Sequence, residues 1–222
     1  MACDTRFESE LFHSGHRLIA GADEVGRGAL AGPVVAAAVI LNPFRVPVGL
    51  DDSKKLTRLK RQRLDAEIKQ SAIAYAIARV EHTDVDRLNI HHASLLALGQ
   101  AVKALKPIPD YVLIDGKFLV PHLACPQMAI IKGDGLSVSV GAASIIAKVA
   151  RDRWMKEYDE QCPGYGFAAH VGYNTRAHHE AIVRLGPSAI HRLTFHGVLL
   201  LQAALELNAE APPLPSLPAV NS

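Results

Sequence analysis

Short apolar runs bounded by glycine, proline or acidic residues alternate along this chain with longer stretches whose apolar positions recur at helical spacing. The first run, Arg17 to Asp23, predicts a strand, and Pro33 to Leu41, rich in valine and alanine, predicts a second. Residues 72–80 alternate weakly and predict a third, Tyr111 to Ile114 a fourth, and the segment near Met128 to Ile131 a fifth. Between the second and third, a helix is expected from Thr57 to Gln70, with Leu56, Leu59, Leu64 and Ile68 along one side. A longer helix is expected over 84–105, capped by Thr83 with Asp86, striped by Val85, Leu88, Leu95, Val102 and Leu105, and ended by Pro107 and Pro109. Further helices are expected from Gly141 to Glu160, over 175–185 and over 188–207. Residues 1–15 read as a loosely held lead-in, and from Ala209 onward clustered prolines predict a disordered or extended tail. The order implies an α/β protein: a mixed sheet whose first two strands form an antiparallel hairpin, helices on its faces, and the last helices as an appendage.

Composition narrows the class. The 222 residues fit one large domain or two small ones, and 49% apolar with 21% charged residues describes a folded chain. Three distant cysteines, Cys3, Cys125 and Cys162, suggest no disulfide framework, and no CxxC pair offers a zinc site. The polar, acidic N-terminus is unlike a secretory signal, and the run Val34 to Leu41 is too short to cross a bilayer. A cytoplasmic protein is expected. A formal net charge of +2 neither demands nor excludes a nucleic-acid partner, so the placement of charge decides.

Carboxylates stand at telling positions. Asp23 and Glu24 close the first strand just before Gly26-Arg27-Gly28, Asp115 closes the fourth, and Asp134 lies in the glycine-flanked loop Lys132 to Gly135. If the first and fourth strands are neighbours, these acids converge at one end of a sheet, where they repel one another unless a cation neutralises them. An oxygen-only set suits a hard ion, magnesium or manganese. The plainer reading of Asp115 and Asp134, each beside glycine, is that of turn formers. The Asp23–Glu24 pair is harder to dismiss, because acids in an apolar strand are expensive to bury. Consecutive strand residues face opposite ways, so the two are expected to share a site only if the backbone bends, and Gly26 and Gly28 make a bend cheap. Asp51-Asp52 reads as a solvated turn. Six lysines and arginines crowd Lys54 to Arg63, and Lys148, Arg151, Arg153 and Lys156 form a second basic group. Like charges at helical spacing favour an anionic partner over a merely solvated face. Neither an HExxH zinc motif nor a P-loop is present, and the dinucleotide fingerprint is incomplete.

Six blocks in order resemble the ribonuclease HII family: GADEVGRGALAGPVVAAAVIL at 21–41, DDSKKL at 51–56, VLIDG at 112–116, KGDGLSVSVGAASIIAKVARD at 132–152, GYGFAAHVGYNT at 164–175 and HRLTF at 191–195. The related type HIII usually carries an extra N-terminal domain, and fewer than twenty residues precede the first block here, so type HII is preferred. The resemblance implies a ribonuclease H-like mixed five-stranded sheet flanked by helices, with a C-terminal helical appendage, over residues 16–208. It implies endonucleolytic hydrolysis of RNA in RNA–DNA hybrids and incision 5′ to single ribonucleotides in duplex DNA, leaving 5′-phosphate and 3′-hydroxyl ends. The family's catalytic and metal-binding acids fall on Asp23, Glu24, Asp115 and Asp134, and Mg2+ or Mn2+ is the implied cofactor. Two such ions about 4 Å apart would activate water and stabilise the departing oxygen. Substrate contacts fall on Gly26, Arg27 and Gly28, which would read the 2′-hydroxyl, on Tyr173, which would test the following deoxyribose, and on Lys54. Ala169-His170-Val171 is less basic than the family pattern, leaving one phosphate contact in question. Gln202 to Leu205 is weakly similar to a sliding-clamp motif without its aromatic ending, and a monomer is expected. The competing readings are a structure-selective DNA nuclease of the same fold and a non-catalytic hybrid-binding module.

Overall fold

In the structure, a computed structural model that describes residues 3–200, the apolar runs become five strands: β1 (Ile19–Val25), β2 (Val34–Ile40), β3 (Ala74–Val80), β4 (Tyr111–Asp115) and β5 (Gln127–Ile130). They form one mixed sheet in the order β3-β2-β1-β4-β5. β1 and β2 pair antiparallel as the expected hairpin, β3 extends it antiparallel, and β4 and β5 add in parallel on the other side of β1.

Every residue of β2 is buried, and its two faces meet different helices because successive side chains point opposite ways. Val34, Ala36, Ala38 and Ile40 pack with Ala20 and Ala22 against α4 (Ile90–Lys103), through Ala93, Ala97, Leu98, Ala101 and Val102. Val35, Ala37 and Val39 face α2 (Arg58–Ser71) and α5 (Val138–Gln161), through Leu64, Ile68, Ala142, Ala143, Ile146 and Ala147. Leu64 and Ile68 are fully buried, each contributing about 1.5–3 kcal/mol of transfer free energy. Alanine on both strand and helix brings the layers close. At Gly21 even a methyl group would strike the Ser139 and Val140 backbone, so the first turn of α5 rests directly on β1.

Several local expectations fail, each for a visible reason. Of the expected loose lead-in over 1–15, the described part is held: α1 (Arg6–His13) buries Leu11 against Ile19, Leu113, Ile130 and Val140, and Glu8 accepts bonds from Ser137 Oγ at 2.6 Å and Ser139 N at 3.0 Å. The helix expected over 84–105 is two, α3 (His82–Leu88) and α4, broken at Asn89, whose left-handed backbone (φ 64°) lets its side chain accept from the amides of His91 and His92. Thr83 lies inside α3 rather than capping it, and Asp86 instead binds Leu193 N, Thr194 N and Thr194 Oγ1. Leu59 points to solvent at 79% exposure.

C-terminal to α5, α6 (Phe167–His170) and α7 (Arg176–Leu185) close over Phe167 and Met155 as the appendage. The helix expected over 188–207 does not begin at 188. Residue 191 pairs with Ala31 in a β-bridge and Arg192 N bonds Leu30 O, so the described helical residues start only at 196. The remainder of the expected range 188–207, the tail and Gln202 to Leu205 lie outside the described residues. Among the described residues no helix is long and apolar enough to cross a membrane.

Candidate active site

The strand order makes β1 and β4 parallel neighbours, the condition on which convergence of the acids depended. Their last paired residues are Ala22 and Ile114, so Asp23 and Asp115 come next on adjacent strands and share the face opposite Ala22, turned toward α5. Asp115 Oδ1 accepts from Gly133 N at 2.7 Å, anchoring the short 3-10 turn Gly133–Gly135 that carries Asp134 to the same corner. Glu24 stands one residue beyond Asp23. The expected bend does not occur at the pair itself, because β1 stays regularly paired with β2 through Val25 and turns only at Gly26 (φ 92°). The parallel ladder to β4 ends at Ala22, so Glu24 lies beyond it.

The corner is electrostatically strained. Burial, then the charges of Asp115 and Glu24, push the Asp23 carboxyl well above the ordinary carboxylate range, with Ser144 on α5 pulling the other way. Burial and Glu24 raise Asp115 against the hydrogen bond from Gly133, and burial with Asp115 and Asp52 raises Asp134 against Lys54. Two cations partly relieve this: Lys54 Nζ is 3.5 Å from Asp134 Oδ2, and Arg27 Nη1 is 2.8 Å from Glu24 Oε1. Glu24 Oε2 is buried with no hydrogen-bond partner among the described residues. Among the described residues no three of these groups stand close enough to form a finished cage for an ion. The chemistry nonetheless fits a hard cation: an oxygen-only set, repelling acids and an orphaned buried carboxylate oxygen.

Beside the acids, the Gly26-Arg27-Gly28 loop and Tyr173 form one mechanical unit. Ala29 bridges Tyr173, Leu30 N bonds Gly172 O at 2.8 Å, and Gly32 N bonds Ile190 O at 2.9 Å. Two fully buried arginines lock it, both without a carboxylate partner among the described residues. Arg192 donates to Arg27 O at 3.0 Å and twice to Gly32 O, while Arg151 donates to Pro33 O, Ala31 O and Val171 O at 2.8–3.1 Å. The Arg151 guanidinium also lies 5.3 Å from the centre of the Tyr173 ring, with Lys148 at 5.8 Å. Sequence reasoning counted Arg151 in a basic group and met Arg192 only inside the HRLTF block, giving neither a structural role; their partners are backbone carbonyls that no side-chain pattern announces.

Much of the basic run Lys54 to Arg63 is spent locally: Lys55 on Asp51, Arg63 on Glu67, and Arg61 on the carbonyls of Ser53 and Leu56. Beside the run lies a groove lined by Arg58, Arg61, Lys148 and Lys156 around Asp152, which accepts from Lys148 Nζ at 2.6 Å and lies 4.0 Å from Arg61 Nη2; the groove ends at Ala169 and Val171, next to the Tyr173 unit. His170 turns inward instead, its Nε2 2.8 Å from Tyr165 O.

A family model for ribonuclease HII matches residues 20–198. The chain belongs to the ribonuclease HII family. It is 51% identical over 210 residues to ribonuclease HII of Myxococcus xanthus, spanning 94% of this chain and 70% of that one. With ribonuclease HII of Geobacter sulfurreducens it shares 54% over 193 residues, spanning 86% and 88%. Among solved structures, ribonuclease H2 from Pyrococcus horikoshii superposes with a TM-score of 0.74 at 23% identity, covering 86% of this chain and 99% of that one. Ribonuclease HII from Archaeoglobus fulgidus, solved in complex with PCNA, gives 0.69 at 25% identity, covering 81% and 95%. The ribonuclease H-like fold is therefore the one expected, and this member of the family is a hydrolytic endoribonuclease with ribonuclease H activity on RNA–DNA hybrids.

Proposed function

We propose that this ribonuclease HII cuts 5′ to single ribonucleotides embedded in duplex DNA as well as within hybrids, leaving 5′-phosphate and 3′-hydroxyl ends. The observation that carries the reading is adjacency: Asp23, Asp115 and Asp134 share a corner, and β1 runs on through Glu24, paired with Arg27, into a glycine loop tied to a tyrosine. Asp23, Glu24, Asp115 and Asp134 would hold Mg2+ or Mn2+, in the two-ion arrangement the family resemblance implies. A divalent ion there supplies charge stabilisation on the phosphate and a more acidic attacking water. Glu24 Oε2 has no other partner to lose, and Lys54 and Arg27 hold the acids by contacts an ion and a phosphate can replace. The Gly26 to Gly28 backbone would approach the ribose and bond its 2′-hydroxyl, the group that separates RNA from DNA. The Tyr173 ring would lie against the next sugar and reject a second 2′-hydroxyl by contact. The groove of Arg58, Arg61, Lys148 and Lys156 would follow the phosphate backbone. A sliding-clamp contact through the C-terminal region belongs to the same reading and rests on the Archaeoglobus complex.

The test is a duplex with one embedded ribonucleotide, incubated with magnesium, with manganese and with chelator, and mapped at nucleotide resolution. A single metal-dependent cut on the 5′ side of the ribose is expected. Equal cutting of all-DNA duplexes would transfer the reading to a DNA nuclease, and metal-independent binding without products would reduce it to a hybrid-binding module.

A further inference from the structure

We propose that His191 and His178 form an oriented hydrogen-bond relay that positions Tyr173 for its role in substrate discrimination. The proposal rests on the reading of Tyr173 given above and adds the residues that set it in place.

Each link leaves only one direction for its proton. Ser188 N and Ser188 Oγ each lie 2.7 Å from His191 Nδ1; the hydroxyl can take either role, but the amide can only donate, so that ring nitrogen is the acceptor and the His191 proton sits on Nε2. His178 Nδ1 lies 2.9 Å from Tyr173 O, and a carbonyl can only accept, so the His178 proton sits on Nδ1. The two Nε2 atoms are 3.0 Å apart, and the assignments made independently from either end give the donor and acceptor that this contact needs. Protons therefore point from Ser188 through both rings to the Tyr173 carbonyl.

Both imidazoles must be neutral for this chain to close, because a further proton would set two N–H groups head to head. Their surroundings enforce neutrality. His178 and His191 are 0% and 2% exposed, and burial drives both pKa values down to about 4. The titratable and charged groups around them are His170, whose ring stacks on His178 at 4.4 Å, His179, His82, Tyr165, and the neighbouring Arg192 and Tyr173, with no carboxylate among these to favour a charged ring. His170 completes the grip from the other side: its Nδ1 accepts from Gly172 N at 3.2 Å, and its carbonyl accepts from Tyr173 N at 3.0 Å. The tyrosine backbone is thus held at both its amide and its carbonyl, while Ala29 of the glycine loop bridges it.

Two measurements test this. Nitrogen-15 NMR of histidine-labelled protein at neutral pH is expected to show His178 protonated on Nδ1 and His191 on Nε2; the opposite tautomers, or titration of either near its ordinary value, overturn the relay. Single-turnover cleavage is then compared at one embedded ribonucleotide and within a long RNA tract. His178→Leu, which removes the bond to Tyr173 O, is expected to slow the first about tenfold while leaving the second within about threefold. His178→Asn, whose amide nitrogen occupies the place of Nδ1, is expected to recover most of the loss. Equal losses on both substrates from His178→Leu, alongside a selective loss from Tyr173→Ala, overturn the proposal and spare the reading of Tyr173. Equal losses from Tyr173→Ala defeat that reading instead. The relay is then judged by whether the labelled Tyr173 resonances shift in His178→Leu, and unmoved resonances overturn it. Should the leucine variant not fold, the wild-type tautomers and the asparagine variant decide.

Discussion

Gly28→Ala tests whether a glycine that the fold does not require is required by the substrate, as proposed. A Cβ added at Gly28 meets nothing within 4 Å, and Gly28 is absent from the positive-φ glycines, so the folded chain accepts the methyl group without strain. Alanine also restricts the unfolded chain, which raises stability by about 0.4–1 kcal/mol at a compatible position. In a domain of this size that corresponds to a melting temperature higher by about 1–4 °C. Cleavage should move the opposite way. If the backbone at Gly28 touches the ribose, the methyl group holds the sugar off, and a displacement of about 1 Å costs on the order of 100-fold in rate. Scanning calorimetry and single-turnover cleavage of a one-ribonucleotide duplex measure the two effects on one preparation. Full cleavage by a folded Gly28→Ala protein would refute close approach at this position. Gly26→Ala is the contrasting variant: at φ 92°, with Pro33 O 2.9 Å from the added carbon, it should lose stability as well as activity.

Asp115→Asn should keep hybrid binding, measured by fluorescence anisotropy, while cleavage falls on the order of 100-fold or more, and its melting temperature should rise because a repelling charge leaves the corner. Gly21→Ala should destabilise by about 3 kcal/mol, since backbone of α5 rather than a flexible side chain occupies the space; a melt within 2 °C of wild type would contradict that packing. Acid should weaken the fold through His178 and His191, which stay neutral when folded down to pH about 4 but take protons at about 6.5 when unfolded. The loss begins as pH falls through 6.5 and reaches about 2 kcal/mol per histidine at pH 5. The raised carboxylates work in the opposite direction, so urea titrations at pH 7.5 and 5 should be run in Asp23→Asn; unchanged stability there would count against burial of the pair.

The strands were legible because each is a short apolar run closed by a residue that stops pairing, and the position of Asp23, Glu24 and Asp115 at strand ends followed directly. Their convergence depended on β4 adding beside β1, which nothing local in either strand dictates. The break at Asn89 was hidden because the apolar spacing continues through it; only a left-handed backbone that lets an asparagine cap the next helix reveals it. Leu59 shows the opposite failure, a residue at the right spacing for the core stripe but outside the part of α2 that meets the sheet.

Arg151 and Arg192 go furthest beyond what sequence can announce, and their burial bears on how the site works. An isolated charge in an apolar interior is prohibitively expensive, so each guanidinium survives only by filling its donors with carbonyls. Burial lowers Arg192 to about 9, still protonated at neutral pH. Carbonyls satisfy the hydrogen bonds without cancelling the charge, so two net positive charges remain beneath the loop and tyrosine. A polyanion laid across this surface as proposed would meet the negative charge of the acidic corner and the positive charge of the arginines under the loop, whose fields are little screened where they are buried. The arginines fix the loop against Tyr173, and, if the loop reads the substrate as proposed, the same charges would bias the phosphate backbone toward it. Lysine at either position would keep the charge and lose the planar fork that spans several carbonyls, so the mechanical contribution can be removed while the electrostatic one stays.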